Sequence, residues 1–90
     1  MKKSEFERQV DEFIQDAVYG YVVGIEDDDY EPMTETDWVE YVWTVFKMEQ
    51  DMIVNGLERK HLKFYGKDAF DAKVRKFLKT DAYVKPYVIR

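Results

Sequence analysis

The sequence predicts a mainly α protein: a compact domain of three to four helices around a long central helix at about residues 35–54. Residues 19–25 and 83–89 are candidates for a minor two-stranded pairing. Three observations predict this class. Apolar residues recur at helical spacing in three separate stretches. The run that follows Thr34 passes about twenty residues without Gly or Pro. The 90-residue chain is 46% apolar and 37% charged, a globular composition long enough for one core. Residues 1–90 therefore read as a single globular domain.

The first helix is expected over about residues 5–19. Ser4 and Glu7 have capping-box spacing, and Phe6, Val10, Phe13, Ile14, Ala17 and Val18 share a face. Glu5, Asp11, Glu12 and Asp16 form an acidic outer side, and Gly20 supplies a stop. The next stretch, 19–25, is rich in Tyr, Val and Ile and favours a strand or a tucked loop. Residues 26–32, EDDDYEP, are a loop. Asp27, Asp29 and Glu31 alternate as at the start of a calcium loop, but neither the turn glycine nor the closing Glu follows, so no metal site is assigned.

Thr34 opens the central helix as its cap, with Glu35 and Asp37 in the first turn, where the helix dipole favours carboxylates. Trp38, Val39, Val42, Val45, Phe46, Met52 and Ile53 form a broad apolar arc that Tyr41, Met48, Trp43 and Val54 widen. A helix this apolar must meet neighbours on most sides, or meet another molecule. Glu49 falls inside the arc, where a carboxylate needs a partner. His61, the single histidine, is the candidate for a buried polar pair with it; no third group completes a catalytic triad.

Residues 57–66 are basic. Asp68 is positioned to cap a short helix over about 69–79, with Phe70, Val74, Phe77 and Leu78 inside and Lys73, Arg75, Lys76 and Lys79 outside. Pro86 confines any strand in the tail to a sheet edge.

The net charge of −5 conceals a division. Residues 1–56 hold four Lys/Arg against 15 Asp/Glu, and residues 57–90 hold ten against four. Either the two parts attract one another across the fold, or they form separate charged faces for partners. Six Phe, seven Tyr and two Trp exceed what a small core hides, and exposed aromatics favour protein interfaces. The absence of cysteine excludes disulfides and thiolate metal sites and suits a reducing cytoplasm. No apolar run is long enough to span a membrane, and the N-terminus has no apolar signal core.

No phosphate-binding glycine loop, HExxH or GxSxG occurs, and no cofactor is implied. The reading is a non-enzymatic protein-interaction module, with a homodimer compatible with the broad apolar arc. Its candidate contact residues are Asp11, Glu12, Asp16, Asp27, Asp28, Asp29, Tyr30 and Glu31, an acidic surface able to imitate nucleic acid. The alternative is nucleic-acid binding through Arg59, Lys60, Lys63, Lys73, Arg75, Lys76 and Lys79. Against it stand the acidic balance and the lack of Asn, Gln or Ser for base reading on that side. In being short, acidic, cysteine-free and Tyr-rich, the chain resembles accessory proteins of phages and mobile elements in low-GC bacteria. Several of these inhibit host defence enzymes, CRISPR effectors among them. That resemblance implies an inhibitor or modulator of a host protein, acting in the bacterial cytoplasm.

Overall fold

The computed structural model describes residues 3–50 and 66–89. Three helices dominate them: α1 (Lys3–Glu26), α2 (Glu35–Gln50) and α3 (Lys67–Thr80). Two short strands, β1 (Met33–Thr34) and β2 (Val88–Ile89), pair in parallel, with Met33 opposite Val88 and Thr34 opposite Ile89. The protein is thus mainly helical with a minor two-stranded sheet, as expected, and α2 is its centre. That helix touches α1, α3 and both strands.

Phe46 shows how α2 joins its neighbours. Its ring meets Phe13 of α1 edge-on at 5.4 Å and stacks against Phe70 of α3 at 4.5 Å. Trp38, Val39 and Val42 are fully buried on the same helix. The Trp38 indole N–H donates to the Tyr87 carbonyl at 3.2 Å, so burying the ring leaves no donor unpaired. Thr34 caps α2 as predicted, its hydroxyl accepting from the Asp37 N–H at 3.2 Å. Tyr41 and Trp43 are half-buried flanks, but Met48, expected to widen the apolar arc, is 66% exposed. Among the described residues no element covers it.

Helix α1 departs most from expectation. It begins by Lys3, which puts Ser4 inside the helix rather than at its cap, and it runs through Gly20 and Gly24 to Glu26. Residues 19–25 are therefore helical, not a strand. The reason is a continuous ladder: Val10, Ile14, Val18 and Val22 follow at four-residue steps, Ile25 closes the row, and all five are buried. Each mid-helix glycine costs about 1 kcal/mol relative to Ala. Burying Val22 and Ile25 recovers about 1.5–3 kcal/mol apiece. Tertiary burial thus overrides both the glycine stops and the strand preference of Tyr, Val and Ile.

Helix α3 is anchored by Phe70, Val74 and Leu78, all buried. Its cap position is Gly66 without a side-chain bond, and Asp68 lies in the first turn rather than at the cap. The tail does form an edge strand, but β2 pairs with β1, not with 19–25. Pro86 lies in the 3-10 turn Lys85–Tyr87 that precedes β2, near the start of the turn, where a missing N–H costs nothing. Helices α1 and α3 also touch each other, so the acidic and basic elements are not held wholly apart by α2. No helix among the described residues is long and apolar enough to cross a membrane.

Candidate interaction surfaces

The eight acidic-surface candidates do not form one group. Asp11 lies on the seam between α1 and α3, where its carboxylate accepts from Lys73 Nζ at 2.8 Å. Glu12 and Asp16 are exposed on the polar side of α1, with Asp16 at the edge of the groove along the α1–α2 seam. Asp27, Asp28, Asp29, Tyr30 and Glu31 form the exposed turn that follows α1. Among the described residues, none of the carboxylates of Glu12, Asp16, Asp27, Asp28, Asp29 and Glu31 has an ion pair.

The turn has a defined shape. Asp28 adopts a left-handed backbone, φ 62°, the position that glycine usually fills after a helix. The N–H of Asp29 donates to the Gly24 carbonyl at 2.9 Å, and that of Asp28 donates to Ile25 at 3.1 Å. These are the two bonds of a Schellman cap. Tyr30 is then folded back over the helix. Its ring stacks on Tyr21 at 4.7 Å and 14°, and Tyr21 in turn meets Trp38 and Tyr41, each at 4.9 Å. Gly24 makes this possible: a Cβ there would lie 2.1 Å from the Tyr30 ring. Tyr30 nevertheless remains 52% exposed. Burial, with the neighbouring tyrosines adding, pushes the Tyr41 hydroxyl above its ordinary range.

The basic candidates behave differently. Arg75 donates to Glu35 of α2 at 2.8 Å, and Lys79 lies 3.8 Å from the same carboxylate. The hydrogen bond from Arg75 holds the Glu35 carboxyl below its ordinary range, against a smaller opposing effect of burial. Lys73 holds Asp11. Lys67, outside the predicted set, bridges Glu40 of α2 and Asp71 of α3, both at 2.7 Å. Those bonds, Asp71 first, raise its ammonium above the usual value. Lys76 is exposed on the same helix. Arg59, Lys60 and Lys63 lie outside the described residues, as does the Glu49–His61 pairing.

Sequence reasoning missed a second tyrosine cluster, which clasps the tail to α1. Tyr19 donates to Asp81 Oδ2 at 2.5 Å, while Asp81 Oδ1 accepts from the Tyr83 N–H at 2.9 Å and the Val84 N–H at 3.2 Å. Tyr83 donates in turn to Glu26, a bond that pushes its hydroxyl up to about 12. The partners are 57 and 62 residues apart in the chain. No local spacing announces them; only the excess of tyrosine pointed that way.

Open grooves accompany these surfaces among the described residues. One of about 660 Å³ runs beside the strand pair, between Thr34, Val88 and Ile89 on one side and Leu78 and Lys79 on the other. Smaller ones of about 290 and 240 Å³ follow the α1–α3 and α1–α2 seams. Among the described residues no group of three or more His, Asp or Glu side chains is placed to hold a metal ion. No family model, curated protein or solved structure matches this chain.

Proposed function

We propose that this chain is a small, non-enzymatic protein-interaction module whose acidic outer surface occupies a basic groove on a protein partner. The carrying observation is the unpaired acidic line. Glu12 and Asp16, followed by Asp27, Asp28, Asp29 and Glu31, are exposed and without an ion pair among the described residues. Glu5, Glu12, Asp16 and Asp27 recur at 7-, 4- and 11-residue steps, which return to one helix face. At 1.5 Å per residue they span about 33 Å, close to one turn of a DNA duplex, roughly 34 Å. A rigid line of negative charge of that length suits a groove built for nucleic acid, and occupying such a groove would inhibit its owner. This reading agrees with the resemblance to phage and mobile-element accessory proteins.

The test is capture from the native host's lysate. The immobilised chain is expected to retain a nucleic-acid-binding protein that duplex DNA displaces. D27N/D28N/D29N should weaken retention at least tenfold, because three of the six open carboxylates are neutralised. Retention indifferent both to the substitutions and to DNA would reject the proposal. Retardation of duplex DNA by the chain alone, falling steeply with salt, would favour the alternative of nucleic-acid binding through the basic segment.

A further inference from the structure

The geometry points to a more specific feature of that surface: Tyr30 is a platform for an arginine side chain of the partner. This rests on the reading of the acidic surface as the docking face, and it commits to guanidinium rather than to positive charge in general.

Four observations lead to it. Tyr30 is the exposed aromatic ring within the acidic turn, at 52% exposure. One face of its ring stacks on Tyr21 at 4.7 Å, and the absence of a side chain at Gly24 makes room for it. Since Tyr21 covers one face, the exposure belongs largely to the opposite face and the hydroxyl edge. Tyr21 is itself braced by Trp38 and Tyr41, so the platform stands on the buried core rather than on the turn alone. The same turn carries Asp27, Asp28, Asp29 and Glu31, all exposed and without an ion pair among the described residues.

A half-exposed aromatic face with a negative quadrupole, in a turn that carries carboxylates, is complementary to a planar cation. Guanidinium can lie flat on the ring while its edge N–H groups reach carboxylate oxygens in pairs. An ammonium is a strongly hydrated point charge that satisfies the carboxylates but gains less from the ring. The anatomy is that of a small hot spot, an aromatic anchor with charged residues in the same turn.

Titration with deca-arginine and deca-lysine peptides at about 0.1 M salt tests the inference. Equal charge makes the two ligands equivalent for long-range attraction. The wild-type chain is expected to bind the arginine peptide roughly two- to fivefold more tightly, the ratio that an exposed cation–π contact of about 0.5–1 kcal/mol produces. Tyr30→Phe should keep the preference. Tyr30→Leu and Tyr30→Ala should abolish it while lysine-peptide binding stays within twofold, with circular dichroism confirming that each variant is folded. Equal affinities in the wild-type chain, or a preference that survives both Tyr30→Leu and Tyr30→Ala, would overturn the platform and leave the acidic-surface reading standing. If neither peptide binds, both readings fail together.

Discussion

On α3, Lys67, Lys73, Arg75 and Lys79 each reach a carboxylate elsewhere in the fold. On the outer side of α1 and in the turn after it, Glu12, Asp16, Asp27, Asp28, Asp29 and Glu31 reach no cation among the described residues. Both regions look alike in sequence: an amphipathic helix with one sign of charge on its polar side. Two differences in physics separate them. Lysine and arginine carry long flexible stems that lie along apolar surface and bring the charge back to a neighbouring helix, which Asp and Glu are too short to do. In addition, α3 packs against both α1 and α2, which supply Asp11, Glu35 and Glu40. A division of charge in a sequence therefore does not imply two equivalent surfaces. One can be spent inside the fold while the other stays available.

The strongest way to break the comparison is to loosen the packing that brings the cations to their partners. Phe70 is fully buried between Phe46 and Trp43, at 4.5 and 5.3 Å. Phe70→Ala should cost about 3–5 kcal/mol, measured by urea denaturation. Because a domain of this size has only about 5–15 kcal/mol to lose, the variant should be close to unfolding at 37 °C. A loss below about 1 kcal/mol would show that α3 is not anchored through this ring.

A smaller effect, of opposite sign, sharpens the acidic side. Asp28 occupies a left-handed backbone conformation, φ 62°, that disfavours any residue with a Cβ. Asp28→Gly should stabilise the chain by about 1 kcal/mol and raise its midpoint of denaturation. Destabilisation would mean that the Asp28 side chain contributes to the turn in a way its geometry does not reveal.

The smallest effect concerns the pair across the α2–α3 seam. Arg75 and Glu35 are 41% and 31% exposed, so solvent screening limits their contribution to below about 1 kcal/mol. The sign follows from the lowered Glu35 value. A carboxyl that ionises more readily folded than unfolded contributes stability that is present above its ordinary value of 4.5. That contribution is lost as pH falls through the lowered folded value. Arg75→Gln should therefore reduce stability near pH 7 and leave it almost unchanged near pH 2. An equal loss at both pH values would assign the effect to packing of the Arg75 stem instead.

The sequence showed the helical class and the central position of α2, because Trp38, Val39, Val42 and Phe46 keep strict spacing without Gly or Pro. Thr34 as a cap was equally legible, since capping is local chemistry. The end of α1 was not. Gly20 and the Tyr/Val/Ile composition of 19–25 are local signals that burial of Val22 and Ile25 outweighs. The Schellman turn was hidden for a related reason: an Asp holds the place where a Gly would have marked it. Of the candidate surface, the exposed carboxylates and Tyr30 were readable as residue types, but their division was not. Only the packing of α3 against α1 removes Asp11 from the group by pairing it with Lys73, and only the packing of α3 against α2 draws Arg75 and Lys79 to Glu35.

On the proposed reading the acidic surface is offered to a partner and the basic one is not. The most direct measurement compares D27N/D28N/D29N with R75Q/K76Q/K79Q in the same capture from native host lysate, each variant checked for folding. The first should lose the retained protein at least tenfold while the second keeps it within about threefold, despite a slightly lower melting temperature. Loss of the partner from the basic variant, with the acidic variant unaffected, would contradict it.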